Sequence, residues 1–249
     1  QGFTVEPETW AAIRANVDKL ALCPVSRIRD EFMKDLKSGA MRPWAKLALA
    51  STIFFAILPG YEQLVPGGED PSFYEQAEEH ENQTLALLFR ILELIDRLHG
   101  EGKTVPDEQL FALLLLPWAL TEFDLLGREP KGGFGRRLRE RVDADLEHLG
   151  IKRGSKEEIA MLLANLPLFV RHREGDEWPR WIARKSYFPA GLTFYGLYQA
   201  AAAGAALPEI AMPEEAAPRA KRRRGGRPRR DSRTAAFAGA KGGIFGLKK

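Results

Sequence analysis

Residues 110–120 read LFALLLLPWAL, and this run does most to decide the fold. It is apolar on every side of a helix rather than along one stripe, and helices of that kind lie in the centre of a core. Its eleven residues are too few to span a bilayer, which takes about 20. We therefore expect a buried central helix that starts after Pro106 and is covered by the rest of the chain.

Amphipathic segments surround this run on both sides. Apolar residues recur at helical spacing over residues 28–36, 85–95, 138–149 and 159–166. The sequence shows no convincing alternation of period two, which is the pattern of a half-buried strand. It therefore predicts an all-α fold, a multi-helix neck and body bundle followed by a disordered basic tail.

Local signals predict where several of these helices begin. Ser26 is placed to cap the second helix, and Ser72 to open a long helix that runs to about His99. Residues 155–158 read SKEE, a capping box in which the serine and the last glutamate satisfy each other's backbone N–H groups. We expect a helix to start at each of these three serines.

Composition divides the chain into three parts. We expect a neck-like helical region at residues 1–60 and a helical body at residues 61–207. From residue 208 the sequence is rich in Pro, Gly, Ala and Arg, and a segment of that composition cannot form a core. Residues 208–249 are therefore predicted to be a disordered Arg-rich tail.

The formal net charge of +3 conceals an asymmetry between the body and the tail. Residues 216–249 carry twelve Lys or Arg and one acid, whereas the preceding 215 residues carry 25 bases and 33 acids. A basic tail on a mildly acidic body indicates a polyanionic partner. Nucleic acid is favoured because phosphate contacts release condensed counterions. The alternatives are an anionic membrane surface and a purely solubilising end.

The single cysteine, Cys23, excludes an internal disulfide framework and suits a reducing compartment. It precedes Pro24 and has no histidine near it in sequence, so we expect a buried, small apolar residue rather than a nucleophile. The sequence lacks the pattern of a secretory signal. Together these features predict a cytoplasmic protein that does not enter a membrane.

Patterns that resemble catalytic or metal sites have simpler explanations. Asp143 and Asp145 have the Asp-x-Asp spacing of two-metal enzymes, but residues two apart in a helix diverge by about 200°, which indicates a solvated helix face. The four histidines lack metal-ligand spacing. The Gly-rich residues 131–135 lack the strand and the Lys-Ser/Thr of a phosphate-binding loop. No catalytic residue or metal ligand is predicted in this chain.

Cations interleaved with aromatic residues near the end of the body suggest a surface that tracks a nucleic-acid backbone and stacks on its bases. The body cations are Arg171, Arg173, Arg180, Arg184 and Lys185, and the aromatic residues are Trp178, Trp181, Tyr187 and Phe188. The tail adds Lys221, Arg222, Arg223, Arg224, Arg227, Arg229 and Arg230. The alternative is that the aromatic residues lie in the core and the cations lie in solvent.

Three segments near the N-terminus carry a resemblance to a known family. They read GFTVEPET at residues 2–9, VSRIRDEF at 25–32 and LKSG at 36–39. These segments resemble the neck of the bacterial poly(A) polymerase branch of the class II tRNA nucleotidyltransferase family. In that neck an Arg-x-x-x-Glu pair braces the helices against the nucleotide site. The resemblance therefore implies a structural role for Arg27 and Glu31, whereas their i, i+4 spacing alone fits a surface ion pair.

Further similarity to this branch covers residues 53–64, 110–120 and 163–198, and the basic extension after Pro213 also fits it. The resemblance implies an RNA-binding neck, body and tail of an enzyme that adds AMP to RNA 3′ ends. The family's catalytic head, with its Gly-Ser and Asp-x-Asp motifs, would precede residue 1. ATP and Mg²⁺ would belong to that head, with no cofactor held by this chain. RNA is the implied partner, and the tail is a candidate contact for RNA-processing proteins.

Other functions remain open on the sequence alone. A fragment of the CCA-adding branch of the same family would have similar helices. A DNA-binding helical module is another possibility, because residues 226–229 read GRPR, the core of hooks that enter narrow A·T minor grooves. A helical interaction scaffold with a solubilising tail is the third alternative.

Overall fold

The structure is a computed structural model that describes residues 4–74, 82–127, 133–172 and 178–208. Every regular element in those ranges is a helix, which confirms the all-α prediction. Across the same ranges, no helix is both long and apolar enough to cross a membrane. Residues 209–249 of the predicted tail lie outside the described residues.

The helices are introduced here in chain order. The α-helices of the described residues are α1 (Pro7–Ala15), α2 (Val25–Leu36), α3 (Met41–Ala50), α4 (Ile53–Ile57), α5 (Gln83–Gly100), α6 (Asp107–Phe123), α7 (Phe134–Asp145), α8 (Arg153–Arg171), α9 (Arg180–Ala183) and α10 (Phe188–Ala203). Short 3-10 helices lie at Val17–Leu22, Pro59–Tyr61 and Glu147–Leu149. The predicted division into neck and body falls inside the second of these, and it stays a prediction.

The central helix α6 is buried along most of its length, as predicted. Residues 109–119 are all buried, and α6 begins at Asp107 directly after Pro106. Two acidic residues in its first turn stabilise it through the helix dipole. Helices α5, α8 and α10 pack against it, while α8 also packs on α7, and α5 on α3. The remaining helices are thus arranged around α6.

Pro117 interrupts the backbone hydrogen bonds of α6, and a tyrosine reaches the helix at that point. Proline has no N–H, so the carbonyl of Leu113 loses its helical donor. The hydroxyl of Tyr61 donates a hydrogen bond to the next carbonyl, that of Leu114. Burial raises the pKa of Tyr61 far above its usual range, which keeps the hydroxyl protonated as a donor. Tyr61 thereby ties residues 59–61 to the central helix.

The N-terminus of α3 is capped by a residue from another helix. The backbone N–H groups of Met41 and Arg42 donate to the two carboxylate oxygens of Asp96 at 2.7 and 2.9 Å. The local N-cap residue, Ala40, provides no side-chain hydrogen bond. A carboxylate at this position also opposes the positive end of the helix dipole. Asp96 therefore fixes the start of α3 on α5.

Two of the three predicted helix starts, those at Ser26 and Ser155, are wrong, although the helices themselves exist. α2 begins at Val25 after Pro24, so Ser26 lies inside it and does not cap it. α8 begins at Arg153, and Ser155 Oγ instead donates to Glu108 Oε1 on α6 at 2.8 Å. That contact joins the first turns of two packed helices, which competes with a local capping box.

Helix begins at residue 73, directly after Ser72 as predicted, but the predicted long helix is interrupted before α5. Asn82 has an extended backbone, and its side-chain oxygen accepts a hydrogen bond from the N–H of Leu85 at 2.8 Å. It therefore caps a helix that starts at Gln83. Residues 75–81, which the prediction also covered, lie outside the described residues.

Two buried polar side chains meet beside Gly60 in the core. Within the described residues, Trp118 Nε1 and Asp145 Oδ2 have no hydrogen-bond partner. A methyl group on Gly60 would lie 2.7 Å from the first atom and 2.6 Å from the second. Nearby, His148 Nε2 is 2.6 Å from the carbonyl oxygen of Ile57. The absence of a side chain at Gly60 therefore allows the backbone to approach the buried side chains of Trp118 and Asp145 closely.

Asp143 and Asp145 diverge, as helix geometry predicts, but only one of them is solvated. Asp143 is exposed and accepts a hydrogen bond from Lys156 Nζ at 2.7 Å. Asp145 is 6% exposed, so the expectation of a solvated face is wrong for this residue. The reason is that α7 turns its Leu138 and Val142 stripe toward the core, and Asp145 continues that stripe.

Replacing Gly60 by Ala should lower the free energy of unfolding by about 1–3 kcal/mol, because the added methyl group would overpack a buried site. The matched control is Gly154→Ala in the first turn of α8, where an added methyl group meets nothing within 4 Å. That change should raise stability by about 0.5 kcal/mol through reduced freedom of the unfolded chain. Urea unfolding of both variants measures the difference, and equal effects would contradict the packing beside Gly60.

Replacing Asp145 by Asn should raise the free energy of unfolding at neutral pH. The pKa of Asp145 is raised, mainly because burial disfavours its charged form. The charge of Arg141 opposes this rise, the charge of Glu122 adds to it, and His148 opposes it. A carboxyl group of this kind favours the folded state below its unfolded pKa of about 3.9, and loses that contribution as the pH rises through the folded value. In urea titrations the advantage of the Asn variant should therefore shrink as the pH falls from neutrality toward the unfolded value.

Asp143→Asn is the matched control, because it makes the same change two residues away on an exposed face. It should alter the free energy of unfolding by less than about 1 kcal/mol, since exposed ion pairs contribute little. The Asn oxygen can still accept from Lys156. An Asp145→Asn variant that is less stable than the parent at neutral pH, with a deficit that disappears as the pH falls, would show that the buried carboxylate is ionised and well compensated.

Candidate nucleic-acid interface

Four of the predicted body cations lie where α8 ends and α9 begins. Arg171 is the last residue of α8, Arg180 is the first residue of α9, and Arg184 and Lys185 directly follow α9. All four side chains are exposed. Within the described residues, none of them forms an ion pair with an acid. Their charges are therefore available to a ligand.

One aromatic side chain stands among these cations at the surface. Trp181 on α9 is 52% exposed, and its ring lies edge-on to the ring of His172, with centroids 5.6 Å apart and planes at 87°. The backbone N–H of His172 donates to the carbonyl of Leu168 at 3.1 Å, which holds His172 at the end of α8. The contact between the two rings brings the end of α8 and the start of α9 together.

The other aromatic residues predicted at this surface belong to the core. Trp178 and Phe188 pack on the buried Phe169, with ring centroids 5.3 and 5.9 Å away, and Tyr195 completes the cluster at 6.3 Å. Tyr187 is partly buried against the core as well. The alternative that places aromatic residues in the core is thus correct for three of the four, and Trp181 is the exception.

The remaining candidate residues lie outside the described residues. They are Arg173 in the body and Lys221, Arg222, Arg223, Arg224, Arg227, Arg229 and Arg230 in the tail. Their contact with nucleic acid stays a prediction that rests on the charge of the sequence.

A groove of about 580 Å³ opens beside α2, and both Arg27 and Glu31 line it. Glu31 Oε1 accepts a hydrogen bond from Lys34 Nζ at 2.9 Å, so it pairs with that lysine instead of Arg27. On the same wall, burial and the charge of Glu31 raise the pKa of Asp35, while a hydrogen bond from Trp44 lowers it. Both Arg27 and Glu31 are exposed, and the structural role predicted for them stays a prediction.

Large apolar side chains are exposed at positions close in sequence to residues that line this groove. Leu22 is 82% exposed and Val25 is 47% exposed, and they flank the groove-lining residues Cys23 and Pro24. Leu47, at 43% exposure, lies one helical turn beyond the groove residue Trp44. Exposed apolar side chains near an apolar groove are candidates for contact with a protein partner.

Cys23 is exposed, so the prediction of a buried cysteine is wrong. The 3-10 helix Val17–Leu22 ends directly before it, and Cys23 takes an extended backbone with φ −80° and ψ 145°. The chain leaves the helix there before α2 begins, which turns the thiol toward the groove rather than the core.

The sequence predictions missed a group of arginines on α7. They are Arg136, Arg137, Arg139 and Arg141, and all four are exposed. Arg136 Nε donates to Glu140 Oε1 at 2.7 Å, and Arg139 Nε donates to the carbonyl of Gly135 at 3.0 Å. Four arginines within six positions of an amphipathic helix was the signal that could have found them.

Two clefts next to these elements carry nearly equal numbers of cations and acids. The cleft of about 380 Å³ between α7 and α8 is lined by the charged residues Arg139, Arg153, Lys156, Glu140, Asp143 and Glu157. The cleft of about 820 Å³ between α2, α6 and α8 is lined by Arg29, Lys34, Lys37, Lys152, Asp30, Asp107 and Glu108. Several of these cations and acids form ion pairs with each other, for example Lys37 Nζ and Asp107 Oδ1, which are 2.6 Å apart. Balanced charge of this kind makes neither cleft a strong site for phosphates.

The described residues show no carboxylate grouping of the kind that a two-metal site needs. Among the described residues, no three His, Cys, Asp or Glu side chains are grouped to hold a metal ion. In the Asp-x-Asp pair, Asp143 forms an ion pair with Lys156 at the surface, whereas Asp145 is buried. A two-metal site needs carboxylates that share their ions, and Asp143 and Asp145 point apart.

Comparison with known proteins gives one match, and it covers the N-terminal quarter of the chain. A family model described as "Probable RNA and SrmB- binding site of polymerase A" matches residues 2–64, which include the whole lining of the groove beside α2. No curated protein and no solved structure matches the chain. The family match supports an RNA-binding module similar to that of poly(A) polymerases, with RNA as its partner.

Proposed function

We propose that this chain is the RNA-binding part of a bacterial poly(A) polymerase-like nucleotidyltransferase, which adds AMP to RNA 3′ ends. The family match at residues 2–64 is the observation that carries the proposal. Catalysis, together with ATP and Mg²⁺, would belong to a head outside these 249 residues. The part played by this chain is to hold the RNA so that its 3′ end reaches that head.

The charges of the chain support RNA as the ligand. Arg171, Arg180, Arg184 and Lys185 are exposed and, within the described residues, unpaired with acids. The tail adds seven further candidate cations between residues 221 and 230. Because phosphate contacts supply affinity without reading the sequence, such a surface would hold many different RNA 3′ ends.

The salt dependence of RNA binding tests this proposal. In the full chain, the seven tail cations from Lys221 to Arg230 are replaced by Gln, and affinity for single-stranded RNA is measured over a salt series. Each phosphate contact on a single strand contributes about 0.7 to the slope of log affinity against log salt. If about half of the seven engage phosphates at once, the slope should fall by about 2.5 units.

The loss should be the same for A-rich and mixed-sequence RNA, because phosphates carry no base information. An A·T-rich DNA duplex serves as the comparison ligand, and selective loss of duplex binding on Arg227→Ala would indicate a minor-groove module instead. An unchanged salt slope after neutralisation would show that the tail makes no contact with RNA.

A second function, protein docking, is favoured by the exposed apolar side chains near the groove beside α2. The description of the matched family names SrmB as a ligand of this segment. Leu22, Val25 and Leu47 would supply the apolar contact area that such a protein partner buries. RNA would then bind outside this groove, on other surfaces of residues 2–64 and where α8 meets α9, so that the chain holds both ligands.

Replacing Leu22 by Asp should weaken the binding of purified SrmB by about tenfold or more, because a charge would be buried in the interface. Leu192→Asp on α10 is the matched control, since Leu192 is also exposed but lies outside the matched segment. RNA affinity and melting temperature should stay unchanged in both variants. Equal binding of SrmB by the two variants would contradict docking at this groove.

A further inference from the structure

Trp181 is exposed in a way that the core does not explain. All five tryptophans of the chain lie in its described part; four are buried or partly buried, and Trp181 is the exposed one. Its neighbour Ile182 is fully buried and anchors α9, so this short helix could be held without an indole at the surface. One exposed apolar residue is ordinary by itself, but an aromatic ring among unpaired cations has the composition of a surface that binds single-stranded nucleic acid.

The contact with His172 positions the indole ring of Trp181 but leaves much of that ring accessible to a ligand. The two rings are perpendicular, with centroids 5.6 Å apart. A perpendicular partner can cover no more than one face of an indole, and 52% of Trp181 remains exposed. Since His172 is itself held at the C-terminus of α8, the ring of Trp181 is positioned before any ligand arrives.

Cations lie on the same side as the exposed ring. The backbone N–H of Arg184 donates to the carbonyl of Arg180 at 3.2 Å, and that of Lys185 donates to the carbonyl of Ile182 at 2.9 Å, so the helical turn continues past α9. Residues three and four positions apart in such a turn are neighbours, which places Arg184 and Lys185 beside Trp181. Arg171 can be explained by its position at the C-terminus of the long α8, where a cation interacts favourably with the helix dipole. The same explanation does not account for Arg184 and Lys185, because α9 has only four residues.

We propose that Trp181 stacks on a base of single-stranded RNA while Arg180, Arg184 and Lys185 contact the flanking phosphates. His172 is a positioning residue that orients the indole. The unpaired cations favour a polyanionic ligand over a protein partner, and a π-face accepts any base, so no sequence preference is expected. This site rests on the proposed RNA-binding function but lies outside the matched residues 2–64.

The test compares two single-stranded ligands of equal length and charge, an oligoadenylate and an abasic strand, on the full chain. Trp181→Ala should weaken oligoadenylate binding by about tenfold, the scale of one lost base stack, and leave the abasic strand unaffected. Trp181→Phe should restore most of the loss. The double variant Arg184→Gln, Lys185→Gln should weaken both ligands alike. In the parent chain, oligoadenylate should quench tryptophan fluorescence more than the abasic strand does.

The outcomes separate this inference from the proposed function. Equal losses for both ligands in Trp181→Ala, or unchanged oligoadenylate binding by that variant, would overturn the stacking site while RNA binding by the parent stands. A parent chain that binds neither strand would overturn the proposed function, and the stacking site with it. A melting temperature unchanged in Trp181→Ala would show that its loss of affinity does not come from unfolding.

Discussion

The lack of a polar face on α6 is the constraint on which the rest of the structure depends. A helix that is apolar on all sides is stable only where its neighbours remove every side from water, and α5, α8 and α10 do so. Near Pro117, which leaves the carbonyl of Leu113 without its helical donor, the hydroxyl of Tyr61 bonds to the carbonyl of Leu114 and fixes residues 59–61 on α6. Because the covering helices turn their apolar faces to α6, a ligand can reach only their outer faces and their ends.

The helices could be predicted from the sequence because their periodicity reflects burial along a single element. The start of α6 after Pro106 could be predicted as well, but the cap of α3 and the start of α8 could not, because tertiary contacts override the local signals. Asp96 caps α3 from α5, and Ser155 bonds to Glu108 on α6 instead of closing a capping box. The buried Asp145 shows the same limit, since a carboxylate on an apolar stripe gives no sign in the sequence that the core will accept it.

The candidate interface was only half visible in the sequence. Composition identified the mixture of cations and aromatic residues, but periodicity could not sort the aromatic residues in a stretch broken by Pro179 and Pro189. In the structure, Trp178 and Phe188 pack on the buried Phe169, whereas Trp181 is exposed at the surface. The groove beside α2 lies within a segment that resembles a polymerase neck, but no pattern in the sequence predicted that Leu22, next to the groove residue Cys23, would be exposed.

Ultraviolet crosslinking tests most directly whether the chain holds single-stranded RNA where α8 meets α9. The full chain is irradiated in complex with RNA, and the crosslinked peptides are identified by mass spectrometry. We predict a crosslink at Trp181, together with crosslinked peptides from the segment 2–64, where the RNA-binding family model matches. RNA that crosslinks efficiently to other parts of the chain, with none at Trp181, would contradict the interface described for the end of the body.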